Sequence, residues 1–180
     1  MEALERPLPR PTSEDYVVVR LLESLVEARL ALRFLDEGLV RNAAGKAFQA
    51  WRAFLAALLR LEIDKLLQVV KTEEERKWLM ERAVPRVPTT RLVRLSQMLE
   101  EVGHYGLSAW TAVALELHDY QYNGPDPDMA LSKFRDREEA AVAVVSLIKE
   151  LVNRIENLKP RIKWNDELEN ALNELRKATK

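Results

Sequence analysis

The chain has no cysteine. Disulfides, thiolate nucleophiles and zinc–cysteine centres are therefore excluded outright. Glycine is scarce at 5 and proline at 8 in 180 residues, and several of the prolines stand at predicted element boundaries. A chain so poor in breakers favours long helices over many short strands. An excess of one charge is also missing. The net charge is −1, which excludes a strongly basic, histone-like nucleic-acid binder but leaves room for a local basic patch. Long apolar runs are absent as well. The longest, residues 53–59, is far too short to cross a bilayer. The opening MEALERPLPRPTSEDY carries acids and three prolines and no apolar core segment, so it does not read as a signal peptide. The expectation is a cytoplasmic protein with no membrane contact.

What is present suits one soluble globular domain. Hydrophobic residues make up 47% and charged residues 32%, the proportions of a packed core with a charge-laced surface. Arginine outnumbers lysine, and opposite charges recur at helical spacing. With the missing cysteine, this is compatible with a thermophilic source.

The chain divides into three parts. Residues 1–11 read as an arm, because Pro7, Pro9 and Pro11 favour an extended, tail-like backbone. Residues 12–160 read as a helical bundle, and residues 161–180 as a short C-terminal helix packing on it. Within the bundle, Val18, Leu21, Leu22, Leu25, Ala28, Leu32 and Leu35 form one helical stripe that Gly38 ends. A second helix spans about 40–69, with Asp64 and Lys65 marking a bend. Thr72 followed by Glu75 is a capping box for a short helix that should stop before Pro85. Thr89 or Thr90 should cap the next helix, which Gly103 ends. Another runs over about 105–120, and residues 122–128 are dense in breakers. The cleanest stripe, Ala141 through Leu158, is ended by Pro160, and Asn165 caps the last helix. No repeat and no strand-like alternation occurs. The fold class predicted is all-α, an antiparallel bundle of four to five main helices plus short ones.

The second helix is apolar on nearly every side, which marks the centre of a bundle. Its exception is a narrow polar stripe, Asn42, Lys46 and Gln49, whose spacing puts the three on one face. Polar groups on a central helix need partners, so the stripe is either a buried network or a site. A second polar group lies at His118, Gln121 and Tyr122, which share a face if their helix continues. His118 reads either as a helix-end residue meeting the last carbonyls or as the titratable wall of a pocket facing the stripe. The binding candidates are Asn42, Lys46, Gln49, His118, Gln121 and Tyr122.

Other constellations fall short of their motifs. Gly45-Lys46 is no phosphate loop, since Val40 stands where glycine is needed and Ala47 where serine or threonine is needed. Gly45 instead suggests close approach of a neighbouring helix. Glu101 and His104 make one Glu-x-x-His, but a di-metal bundle needs two, and Gly103 interrupts this one. Asp126 and Asp128 fall short of a calcium loop's ligand count. Neither a metal nor a cofactor is expected. Arg91 and Arg94, with Arg82 and Arg86 nearby, form the most basic local stretch, read as a solvated face or a phosphate contact.

The run Leu35-Asp36-Glu37-Gly38-Leu39-Val40-Arg41-Asn42-Ala43-Ala44-Gly45-Lys46-Ala47-Phe48-Gln49-Ala50-Trp51 resembles the first hairpin of the archaeal PaREP family. The wider fold it resembles is the HEPN helical bundle, often found beside minimal nucleotidyltransferases. The resemblance implies a homodimer, a nucleotide or RNA ligand, or a nucleotidyltransferase-type protein partner. Ribonuclease members of that superfamily carry arginine four to six residues before a histidine. No arginine lies between Leu95 and Phe134, so neither His104 nor His118 has one. The expected function is a non-catalytic, HEPN-like accessory module that binds a nucleotide, RNA or a protein. The alternative is a metal-independent, toxin-type ribonuclease using His118 with Lys46 or Tyr122.

Overall fold

The computed structural model describes residues 2–179, and the regular elements among them are all helical. A short α1 (Glu2–Glu5) precedes the two helices that form the frame, α2 (Asp15–Asp36) and α3 (Val40–Leu61). Ser24 Oγ donates to the Ala50 carbonyl at 2.8 Å, and Glu27 meets Lys46. Positions rise along α2 as they fall along α3, so the two form an antiparallel hairpin. Gly38 makes the turn at φ +74°. Its N–H donates to the Leu35 carbonyl at 2.9 Å and that of Leu39 to the Phe34 carbonyl at 2.7 Å, a Schellman closure that satisfies carbonyls otherwise left without partners.

The helix α3 is the axis of the fold, packed against α2, α8, α9 and the segment that follows it. Ala43, Ala44, Ala47, Ala50, Ala56 and Ala57 are sealed from solvent and let neighbours approach on several sides, while Phe48, Trp51, Phe54, Leu55 and Leu58 fill the gaps. This is the all-round burial that its composition demands.

An excursion then leaves the bundle and returns through α4 (Ile63–Val69), α5 (Glu73–Trp78), α6 (Val84–Arg86) and α7 (Leu92–Glu101). The expected bend at Asp64 and Lys65 falls instead at Glu62 (φ −98°, ψ 11°), whose carboxylate is turned inward. Thr72 caps α5 as expected, its Oγ1 accepting from the Glu75 N–H at 3.1 Å. The helix does not stop before Pro85, however. A widened π turn over Leu79–Ala83 carries it into α6, because a wider turn relieves the clash between the proline ring and the carbonyl four residues back. Val87, at φ +42°, ends the run. Arg52 of α3 holds that turn by donating to the carbonyls of Arg86 at 2.9 Å and Val87 at 3.1 Å. Neither Thr89 nor Thr90 caps the next helix. A 3-10 turn over Thr89–Arg91 feeds α7 without a side-chain cap.

The remaining helices are α8 (Leu107–Asn123), α9 (Arg137–Leu158) and α10 (Asp166–Ala178). α8 runs antiparallel to α3, with His118 over Phe48 and Thr111 against Trp51. α9 runs parallel to α3. At one end Arg137 donates to the Gly38 carbonyl, and at the other Arg161 meets Glu62. The bundle thus has a turn end, at Gly38, and a far end, at Glu62. Asp136 caps α9 by accepting from the Glu139 N–H, and the Glu139 side chain accepts in turn from the N–H of Arg135, one residue before the cap. Asn165 caps α10, which buries Leu168, Leu172 and Leu175 against α2 and α9. The opening residues are no free tail. α1 lies along α2 with Ala3 half-buried, and Arg6 pairs with Glu167 at 2.8 Å.

Candidate functional site: a committed polar stripe and two far-end clefts

The polar stripe of α3 does not converge on His118. Lys46 turns toward α2, where its Nζ lies 2.9 Å and 3.2 Å from the two carboxylate oxygens of Glu27. Glu27 is buried and Lys46 half-buried, so the ammonium neutralises a carboxylate that burial would otherwise make costly. Asn42 is exposed and Gln49 half-buried. His118 approaches the next face of α3, its ring stacked on Phe48 with centroids 4.2 Å apart, while Tyr122 meets it edge-on at 5.3 Å. His118 Nδ1 is sealed from solvent and has no hydrogen-bond partner among the described residues. Gln121 lies directly over Gly45, where a Cβ would come within 2.6 Å of the Gln121 side chain, so the glycine is there for close approach. Tyr122 is largely exposed. His118, Gln121 and Tyr122 thus do share a face toward α3, and Lys46 is occupied elsewhere.

His118 does not cap its own helix either. The last carbonyls of α8 are met by Arg41, which donates to those of Gln121 (3.0 Å) and Tyr122, and by Asn123, which donates to that of Asp119 (3.0 Å). A guanidinium from α3 thus supplies the positive charge that a helix C-terminus favours.

The other expected constellations resolve into structure. Glu101 points to Arg94 (3.6 Å) and His104 to Glu62 (2.8 Å), so the Glu-x-x-His pair does not converge. Asp126 staples its loop, with Oδ2 accepting from the N–H groups of Leu131 at 2.6 Å and Ser132 at 3.0 Å, and these bonds hold its pKa below the usual carboxylate value. Arg91 lies over the Trp78 ring at 5.4 Å, while Arg94 sits between Glu75 and Glu101. That basic stretch therefore borders a charge-balanced groove lined also by Glu74.

A different group forms at the far end. Glu62 is 1% exposed and has three partners: His104 Nε2 at 2.8 Å, Lys65 Nζ at 2.9 Å, and Arg161 Nη2. Burial alone would push its carboxyl up, but hydrogen bonds from Lys65, His104 and Arg161 overcome this and hold it at about 2. An ionised carboxylate only accepts hydrogen bonds, so the His104 proton toward it sits on Nε2. Two clefts open beside this cluster, and Arg161 lines both. One, of about 460 Å³, is bordered by His104, Tyr105, Glu150, Asn153, Arg154 and Asn157. The other, of about 300 Å³, is bordered by Glu14, Arg60, Ile162 and Lys163. Together they carry four arginine or lysine side chains, of which Lys163 pairs with Glu14, Arg154 with Glu150 and Arg161 with the buried Glu62, against two lining acids.

The sequence reading passed over Arg60, Glu62, Tyr105, Arg154, Arg161 and Lys163. They come from the ends of separate elements and share no linear spacing. One signal was available: Gly103 and Gly106 flank His104-Tyr105, and both adopt positive φ, +111° and +72°. Glycine is the residue that adopts such a backbone without steric cost, so the pair marks a tight loop.

The chain is thus an all-α helical-bundle protein with a packed central helix and polar clefts at one end. The family model of the archaeal PaREP1/PaREP8 family matches residues 19–145, from within α2 into α9, and the chain belongs to that family. No curated protein and no solved structure matches it.

Proposed function

We propose that this chain is a non-catalytic helical-bundle module that binds a nucleotide or RNA in an accessory role, as a homodimer. The observation that carries the binding reading is the cation excess around the far-end clefts of a chain whose net charge is −1. Phosphate-bearing ligands are drawn to such a local field whatever the net charge. The non-catalytic reading is supported by the fate of the two groups that cleavage would need. The Lys46 ammonium is paired with Glu27, and His118 is stacked on Phe48. Metal-independent cleavage asks for a proton-transfer group beside a free cation.

The HEPN likeness belongs to this reading. It is supported by the α2–α3 hairpin and the all-helical bundle, and it suggests a nucleotidyltransferase-type protein as an associated partner. The homodimer is supported by apolar side chains left in solvent at Tyr122, Leu131 and Val142. A cytoplasmic, thermophilic setting belongs to this reading too, supported by the missing cysteine and the arginine-rich charge pattern.

One observation favours the ribonuclease alternative: the unpartnered Nδ1 of His118. A single experiment separates the readings. Labelled single-stranded RNA is mixed with the protein, with and without chelator, and run on native and denaturing gels. The expected result is a native shift without fragments. Chelator-insensitive fragments that vanish in His118→Ala would replace this reading with the nuclease. Light scattering tests the dimer, and a monomer mass at working concentration would remove that part.

A further inference from the structure

The two far-end clefts have a feature that general attraction to phosphate does not use. Tyr105 is 81% exposed at the rim of the larger cleft. Its neighbour His104 is held at the cleft by Glu62, its side chain only 13% exposed. The loop that presents the ring is fixed from behind. Arg154 Nη2 donates to the Tyr105 carbonyl at 3.0 Å, while Arg154 Nε is held by Glu150 at 2.6 Å. Arg154 is therefore a positioning residue. The result is a flat aromatic face on a pinned backbone, open to solvent.

The groups around that face complement a nucleotide. Arg161 gives Nη2 to Glu62, and among the described residues its other N–H groups meet no acceptor. Its side chain is 41% exposed, and it lines both clefts. A guanidinium anchored by one nitrogen and open at the others is suited to phosphate oxygens. Asn153 and Asn157 are exposed and four apart on α9, so both amides border the same cleft. Each carries a donor and an acceptor for a base edge. Arg60 carries the positive charge into the second cleft, where Lys163 pairs with Glu14.

We propose that the far-end clefts bind an unpaired nucleotide, with its base on the Tyr105 ring, its edge toward Asn153 and Asn157, and its phosphate at Arg161. A base can stack on an aromatic face only when it is free of its own helix, so the ligand is single-stranded nucleic acid or a free nucleotide, not a duplex. This rests on the proposed function above and adds the site and the strandedness.

The test measures binding of the full chain by fluorescence anisotropy at two salt concentrations. The probes are a short single-stranded RNA, the same sequence as a duplex, and a mononucleotide and inorganic phosphate as competitors. Single strands are expected to bind at least about tenfold tighter than duplex, because only an unpaired base can lay its face on the ring. Tyr105→Ala, at a position whose ring touches little of the fold, should erase that preference while Tyr105→Phe keeps it. Arg161→Gln should weaken all probes and flatten the salt dependence by about one phosphate contact. Competition by mononucleotide assigns the site to a free nucleotide. Competition needing the oligomer assigns it to a strand.

Equal binding of duplex and single strand, unchanged in Tyr105→Ala, would overturn the inference and leave the binding module standing. So would a loss confined to Arg91→Ala, which would move the site to the Trp78 groove. No binding of any probe at low salt would overturn the proposed function as well, leaving a protein partner as the remaining reading.

Discussion

Gly45 of α3 and Gln121 of α8 touch with no room for a side chain between them: a Cβ on the glycine would lie 2.6 Å from Gln121 Cδ. Glycine inside a helix costs about 1 kcal/mol relative to alanine, and here that cost lets the two helices meet. The obstructing atoms belong to the far end of a flexible side chain, so the contact can yield. Gly45→Ala alone should change stability by less than about 1 kcal/mol, the helix gain being offset by displacement of Gln121. In a Gln121→Ala background the same change should stabilise by about 1 kcal/mol. A thermal-denaturation double-mutant cycle measures both, and strict additivity would show that the two residues are not coupled.

The Lys46–Glu27 pair makes a second prediction. Glu27 is buried, with Lys46 as its cationic partner. Lys46→Met removes the ammonium and leaves the carboxylate to burial, which should cost about 1–3 kcal/mol. Lys46→Met with Glu27→Leu should recover most of the loss. If the single change left urea unfolding untouched while abolishing RNA binding, Lys46 would be a ligand contact and the structural account would fail.

These two contacts also mark how far the sequence could be read. The stripe of Asn42, Lys46 and Gln49 was visible, because helical spacing fixes which side chains share a face of one element. The all-helical class was visible for the same reason, in the stripes of α2, α3 and α9. Which neighbour the stripe would meet was not. Lys46 turns to α2 while Gly45, one residue earlier, faces α8, so a rotation of 100° along one helix separates two different partners. The far-end clefts were hidden more deeply. Arg60, His104, Arg154 and Arg161 meet only after four chain segments have been brought to one end, and no local pattern encodes that. Pro85 misled the reading because a widened turn just before it is a tertiary accommodation that propensity does not describe.

Acid should expose the Glu62 cluster. Its carboxyl sits at about 2 in the folded protein against 4.5 in the free group. A depressed carboxylate stabilises the fold above the unfolded pKa and loses that stability as pH falls toward the folded value. The contribution is on the order of 3 kcal/mol from a shift of this size, and it should decline between about pH 4.5 and pH 2. Glu62→Gln should cost about 3 kcal/mol at neutral pH, since Lys65 and Arg161 lose their shared carboxylate, and should reduce the pH dependence in that window. Urea midpoints taken across the range decide it, and an unchanged slope in the variant would locate the acid sensitivity elsewhere.

Three helices are tied together in the core by one hydroxyl. Trp51 Nε1 donates to Thr111 Oγ1 at 2.9 Å, and Thr111 Oγ1 shares a hydrogen bond with Ser96 Oγ at 2.6 Å. All three residues are buried. Thr111→Val keeps the shape and strands the indole N–H, so it should cost about 1–3 kcal/mol. In Ser96→Ala the indole N–H keeps Thr111 Oγ1 as its acceptor, so that change should cost less than Thr111→Val. Equal losses in calorimetry would mean that the indole is not the group that matters.

The excursion carrying the widened turn at Leu79–Ala83 is fastened to the frame by few polar links. Among them, Tyr16 Oη donates to the Val84 carbonyl at 3.0 Å across 68 positions of sequence, and Arg52 grips the turn that follows. Its second helix, α5, has no fully buried side chain. Amide protons there will exchange with solvent through local openings well before those of α3 exchange. The protein then behaves as a slow core wearing a quick hinge-piece, and a protease given time under native conditions will make its first cut between α4 and α6.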